Sequence, residues 1–401
     1  MTAVPPGAAW PERIAQVDGQ VGHRMALRDT VACMVGGAAT PLGRAVPRGS
    51  DDPSLMARWL AVVGHVLDFD DTFTPGLAHL SCPTVAAALA TACLVDADVE
   101  TVAEGHRRGW EFMAAMTRAH HPWLYERGWH PTSLCGSPAA AVAAGTVLGM
   151  GQEELTQAVR LAALGAGGLQ AAFGSDGKSL QVGLAAQTGV TAALLARGGA
   201  DLGSRIDQQW ARAHGSDQVA APMRPDAVVE NWVKAYPCCL QTHTAIDAAW
   251  QASRDGVPGG TPASVVVHPL SRRAAPLDDV ARPLETKFSI PYLTAFVLLR
   301  CRPPTVADLD QVDPHVGAYA QRVTVLEDPA LPQSTAILMV DGAEVRCDAA
   351  VGSPDRPMSS TQHEGKIASL GAGDAVRLLD DPSTPARALL RRLETGLAQG
   401  A

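Results

Sequence analysis

The sequence predicts a mainly α-helical protein: a large all-helical domain with a smaller α+β lid domain inserted into it. Three observations carry this. First, 47% of the 401 residues are apolar and only 18% are charged, enough to build a large core. Second, the apolar supply is alanine and glycine more than aromatics, which make up 4%. Small side chains let helix axes approach closely. Third, the apolar spacing is helical up to about residue 230, strand-like in places between about 260 and 350, then helical again. The division expected is residues 1–231 for the first part of the helical domain, 232–356 for the α+β lid and 357–401 for the helical return.

Residues 1–20 read as an irregular arm with Pro5, Pro6 and Pro11. Val21–Gly36 is expected to be helical, with Leu27, Val31, Met34 and Val35 on one face. A Gly/Pro/Ser loop from Pro41 to Pro53 leads to a helix at Leu55–Leu67. Thr84–Leu94 follows as a buried, alanine-rich helix started after Pro83. Val102–Arg118 places Ala103, His106, Trp110, Met113 and Met116 for one face. The stretch HHPWLYERGWHPTSLCGSP, residues 120–138, interrupts the helical run, and Ala139–Gly149 and Gln152–Leu164 resume it. Gly165–Gly168 is a further break, and Leu184–Arg197 reads as helix. A helix is expected from about Gln241 and a strand at Ala263–Val267. Phe288–Arg300 reads as a helix capped by Ser289, with Pro291 in its first turn. Arg322–Leu326 is strand-like, and Ala336–Val340 and Glu344–Ala349 flank Asp341-Gly342 as a hairpin. Pro385–Leu397 is the last helix.

Composition excludes several function classes. The formal charge is -9 with no Lys/Arg tract, which argues against nucleic acid and membrane surfaces as partners. No uninterrupted apolar run reaches the length of a membrane span. Met1 to Arg13 lacks the leading positive charge of a secretory signal. The eight cysteines (33, 82, 93, 135, 238, 239, 301 and 347) form no CxxC and no zinc or iron–sulfur spacing. No metal is therefore expected, and a reducing cytoplasm is the expected compartment. His120, His121 and His243 match no standard ligand set either.

The chain is organised around GHVLDFDDTFTPGLAHLSCP, residues 64–83, which sets Asp68, Asp70, Asp71, Thr72 and His79 between two apolar helices. Carboxylates and an imidazole at the end of a buried helix are what acid/base chemistry needs. The plainer reading is that the acids cap the next helix, and Asp70 and Asp71 are expected to do so. Of the 32 basic residues only four are lysines (Lys178, Lys234, Lys287, Lys366), against 28 arginines. In such a chain a retained lysine marks a place where a point-like ammonium is wanted. Lys178 lies among glycines and serines in FGSDGKSLQVGLAAQTG, residues 173–189.

DFDDT followed by a histidine, GWHPTS, KSLQVGLAAQ, KAYPCCLQTHTAID and KFSIPYLTA occur here in that order. Over roughly residues 20–400 the sequence resembles the MmgE/PrpD family, which includes 2-methylcitrate dehydratase and cis-aconitate decarboxylase. The resemblance implies a helical domain with an α+β lid, a homodimer, and an active site between the domains that uses no metal or organic cofactor. Carried over residue by residue, Asp68, His79, His130 and Lys178 are the implied catalytic set. Thr72, Lys234, Cys239 and Tyr292 are the implied substrate-binding set. The double cysteine itself reads as small buried filler more than as a nucleophile.

The implied reaction is removal and return of a proton next to a carboxylate in a small carboxylic acid, with loss of water or CO2. Nearby cations make the enolate-like charge tolerable, and an imidazole moves the proton. Unperturbed imidazoles would give a bell-shaped pH profile with limbs near neutral. The same groups would serve an isomerase or epimerase, and a silent metabolite-binding member is the reading from another class. The chain departs from the family pattern at Gln181, where many members have His, and at Leu240, where many have Arg. Fewer cations suggest a substrate with fewer carboxylates.

Overall fold

The computed structural model describes residues 22–395 except 218 and 225; the arm read over residues 1–20 lies outside them. The helical layer is built from α1 (His23–Ala38), α2 (Pro53–His65), α3 (Ser81–Leu94), α4 (Val99–His120), α5 (Pro131–Val147), α6 (Gln152–Leu164) and α7 (Gly177–Arg197). α5 is buried along almost its whole length, among α3, α4, α6 and α7. It begins eight residues before the expected start and runs through Pro138. A helix enclosed on all sides keeps its backbone helical even where a proline removes one donor. α7 likewise starts at Gly177, because its glycines serve close packing instead of breaking the helix. A Cβ on Gly189 would lie 2.4 Å from the Ala140 Cβ and 2.7 Å from the Ala141 nitrogen of α5.

By length and composition α7 could cross a bilayer, which a search for uninterrupted apolar runs misses because polar residues such as Gln181 and Gln187 lie within it. Here 56% of its most apolar window is buried inside the protein.

A two-stranded ribbon, β1 (Thr72–Phe73) with β2 (Asn231–Trp232), ties the 64–83 stretch to the segment that carries Lys234. The chain then enters an α+β unit with α8 (His243–Arg254), β3 (Ala263–Val267), α9 (Ile290–Arg300), α10 (Pro314–Ala320), β4 (Val323–Glu327), β5 (Ala336–Val340) and β6 (Ala343–Cys347). The sheet order is β4-β3-β5-β6, with β3 and β4 parallel and the other neighbours antiparallel. The β5–β6 turn has positive φ at both Asp341 and Gly342, as a two-residue hairpin turn requires. α11 (Ser360–Ser369) and α12 (Ala386–Thr395) return to the bundle. Residues from Leu27 to Val228 share one apolar core with Ile367–Leu393, and residues from Tyr236 to Val340 form a second. The fold is thus mainly α with a smaller α+β domain.

Candidate active site

α2 ends at His65, and the next three residues turn the chain back sharply. Asp68 sits at φ 51, a left-handed conformation that costs energy for a residue with a side chain. The surrounding hydrogen bonds hold it there. All four lysines of the chain are buried and converge on three consecutive residues of this turn. Lys287 Nζ donates to the Leu67 carbonyl at 2.7 Å and to the Pro237 carbonyl at 3.1 Å. Lys178 Nζ donates to Asp68 Oδ1 at 2.7 Å. Lys234 Nζ donates to the same oxygen at 2.8 Å and to the Asp68 carbonyl at 2.9 Å. Lys366 Nζ donates to the Phe69 carbonyl at 2.7 Å and pairs with Asp29 of α1. Four flexible, point-like donors meet a tightly curved backbone, which a planar guanidinium could not fit.

The turn opens onto a cavity of about 50 Å³ lined by Asp68, Thr72, His79, His130, Lys178, Lys234 and Cys239, with Tyr125, Phe173 and Phe288 among its walls. The Lys178 ammonium lies 5.6 Å from the ring centres of both Phe173 and Phe288, a pair that excludes water from one side of the charge. Among the described residues, Asp68 Oδ2 and Thr72 Oγ1 are buried without a partner. They are therefore groups a bound substrate would satisfy.

The two histidines are held differently. His79 Nδ1 lies 3.1 Å from Asp70 Oδ2 without a hydrogen bond to it, that oxygen being engaged by His65 Nδ1 at 2.8 Å, and His79 Nε2 lies 3.8 Å from Asp68 Oδ1. His130 has a hydrogen-bonding partner. The Leu169 N–H donates to Gln181 Oε1 at 2.9 Å, which orients the Gln181 amide so that its Nε2 donates to His130 Nδ1 at 2.6 Å. His130 Nε2 must then carry the proton. His65 supports both rings: its centroid is 4.5 Å from that of His79 and 5.9 Å from that of His130.

Charge in this cluster is set by burial against lysine. Burial disfavours the Asp68 carboxylate, but Lys178 and Lys234 outweigh it and hold its pKa far below the ordinary aspartate value. Burial likewise opposes ionised Asp70, and His65 and His79 more than compensate. Burial lowers His79 to about 3, with Asp70 pulling the other way and Lys178 and Lys234 reinforcing it. Burial and then the Lys178 charge push His130 well below the usual imidazole value. Both imidazoles are thus neutral at pH 7 in the empty site, and the near-neutral limbs expected of unperturbed histidines are displaced to lower pH. Burial brings Lys287, which faces only carbonyl groups, down to about 8.

Residues 36–219 match the MmgE/PrpD N-terminal domain and residues 236–376 match the MmgE/PrpD C-terminal domain. The chain belongs to the MmgE/PrpD family. Its relatives include the "Cis-aconitate decarboxylase-like protein oryM" of Aspergillus oryzae, 28% identical over 207 residues. "Cis-aconitate decarboxylase" of Aspergillus terreus is 28% identical over 144 residues. These matches cover 43% and 31% of this chain and 41% and 29% of the relatives, so less than half of each relative's length is matched.

In this MmgE/PrpD chain, seven of the eight residues singled out from sequence line one cavity. Tyr292 does not. Its side chain is fully buried in the lid core, and its hydroxyl accepts the backbone N–H of Asp313 at 2.9 Å. A tyrosine in the first turn of α9 faces the sheet of its own domain, and Phe288, four residues earlier, takes the place at the cavity. Asp70 and Asp71 do not cap α3. Asp70 holds His65 at 2.8 Å, and Asp71 accepts from Ser81 and Asn231 at 2.5 Å each. The motifs did not mark Phe173 as a cavity group or His65 as the ring packed behind the cavity's two histidines, and Gln181 stood out only as a departure. The available signal was position: His65 lies three residues before Asp68 at a helix end, and Gln181 lies one turn after Lys178. Cys239 presents a neutral thiol, since burial raises it to about 11.

Two groups of side chains come close enough to share a metal ion among the described residues: His65, Asp70 and Cys82, and Asp68, Asp70 and His79. Neither fits well. In the second, Asp68 Oδ1 already carries two ammonium groups, which would repel a cation. In the first, burial raises the Cys82 thiol well above its usual value and its sulfur donates to the Ala61 carbonyl, so the thiolate a metal needs is disfavoured.

Proposed function

We propose that this chain is a lyase of the dehydratase or decarboxylase kind that acts on a small carboxylic acid without a cofactor. One observation carries the reading: an ionised carboxylate held by two ammonium groups shares a water-poor cavity with two neutral imidazoles, of which His130 has its proton fixed on Nε2. A substrate carboxylate placed beside Lys178 and Lys234 has its charge, and that of an adjoining enolate, stabilised by the lysines. His79 Nε2 accepts the proton from the carbon next to the carboxylate. For dehydration, the C–O bond then breaks and the leaving hydroxide takes the His130 Nε2 proton to depart as water. For decarboxylation no proton is removed first: the C–C bond to the carboxylate breaks, CO2 leaves, and the electron pair left on the carbon takes the His130 Nε2 proton, which water then restores. Thr72 Oγ1 and Asp68 Oδ2 supply the positioning contacts. An epimerase would need the same two imidazoles on opposite faces of one carbon; the names of the relatives favour bond cleavage.

We further propose a homodimer formed through the helical domain, where Leu164, Leu169, Leu180, Leu184 and Leu195 are exposed at the end of α6 and along α7. A reducing cytoplasm suits the eight unpaired cysteines. The function is tested by following carboxylic acids with NMR in the presence and absence of a chelator. Turnover unaffected by chelation supports the reading, and turnover that disappears with the metal would end its cofactor-free form.

A further inference from the structure

The inner chamber is narrow, about 50 Å³ against about 470 Å³ for the cavity beside it. Its cations are also few. Lys178 and Lys234 both face Asp68, with Asp70 ionised just behind, and among the described residues no arginine lines the chamber although the chain has 28. A second or third substrate carboxylate would find no cation there beyond these two lysines.

Leu77, Leu240 and Gln241 line both this chamber and a second cavity of about 470 Å³, so they form a neck between the two. The outer cavity offers the hydroxyls of Thr74, Thr244 and Ser353, the Gln333 amide, and the carboxylates of Glu230 and Asp355. No lysine or arginine is among the described residues that line it. Glu230 is already held by Arg118 at 2.5 Å, whereas Asp355 is exposed.

We propose that the outer cavity is a subsite for the substrate's tail, and that the substrate is a monocarboxylate whose remaining length is polar and either uncharged or cationic. Its acid end enters the inner chamber, and its tail runs past Leu77, Leu240 and Gln241. This rests on the lyase reading only for the orientation of the acid end. It separates this chain from relatives named for cis-aconitate, a tricarboxylate.

The test is calorimetric binding of crotonate, 6-amino-2-hexenoate, 2-hexenedioate and cis-aconitate to the full chain. The amine-tailed acid is expected to bind ~10-fold more tightly than crotonate, a gain worth one well-made polar contact, and both polycarboxylates more weakly than crotonate. Asp355→Arg, an exposed change, should invert the order of the amine-tailed acid and 2-hexenedioate. Tighter binding of either polycarboxylate to the wild type, an unchanged order in the variant, or no binding of any probe at millimolar concentration overturns the subsite. Binding is read without turnover, so the two claims fail separately. A tail preference with no reaction of any acid would end the lyase reading alone. Turnover of cis-aconitate would keep that reading and end the subsite.

Discussion

Gln181 decides which nitrogen of His130 carries the proton, so the acid–base assignment rests on a residue that itself moves no proton. Gln181→Glu replaces the amide donor with an acceptor, which draws the His130 proton to Nδ1 and leaves Nε2 without one. The expected result is a fall in kcat of ~100–10,000-fold, the range for a lost proton-transfer group. Nitrogen NMR of the histidine should show the tautomer change in the empty enzyme; an unchanged His130 signal would refute the positioning role.

The buried titrating groups set the acid stability. His79 falls from 6.5 to about 3 on folding, and His65 and His130 are lowered too, so the unfolded chain binds more protons than the folded one in that window. Their contribution is complete above 6.5 and is lost as the pH falls. Asp71 works in reverse: burial raises it from 3.8 to about 7, so its contribution is lost as the pH rises through that interval. Tm should therefore climb between about pH 4 and 6.5, and more steeply in Asp71→Asn, where one opposing contribution is removed while those of Glu111 and Asp247, also raised by burial, remain. Equal slopes in the two proteins would contradict this. Much of the site was legible at this scale because lysine is so rare here: each of the four had a reason to remain. Tyr292 misled because a motif position does not say which of two domains a side chain faces. Asp70 and Asp71 misled because a carboxylate before a helix looks like a cap until its burial is known.

At the scale of elements, the site exists because α2 and α3 are joined by a turn too tight to be stable alone. The lysines bracket it from four directions: α7, the segment after β2, the segment before α9, and α11. Close helix packing supplies the rigidity. Gly189→Ala places a methyl against the α5 backbone, and relieving that overlap should cost ~1–3 kcal/mol, read as a lower denaturant midpoint with unchanged slope. A neutral effect would mean that α5 and α7 are more loosely apposed than the 2.4 Å approach implies. The strands were legible in sequence, and Ala263–Val267 and Ala336–Val340 have the expected bounds, because β-branched runs and an Asp-Gly turn act locally. The starts of α5 and α7 were not, because Pro138 and the α7 glycines are tolerated only through tertiary burial.

At the scale of the whole molecule, the lid is joined to the bundle through the reactive turn. Lys234 and Lys287 reach in from the α+β side, while Lys178 and Lys366 reach in from the helical side. The exposed leucines of α7 are the surface on which a second copy would pack. Leu184→Glu should convert the proposed dimer to a monomer by light scattering, while a monomeric wild type at micromolar concentration would remove the dimer. The central claim is that Lys178, Asp68 and the two imidazoles move a proton beside a carboxylate. The most direct measurement is proton NMR of chelator-treated enzyme in D2O with a panel of carboxylic acids, wild type against Lys178→Met. The account predicts loss of water with exchange of the proton next to the carboxylate, or loss of CO2 with deuterium delivered to the carbon it leaves, and a variant slower by at least ~100-fold, as expected when a charge-stabilising donor goes. An enzyme that neither exchanges nor cleaves any acid, or a Lys178→Met variant that does so at the wild-type rate, would contradict it.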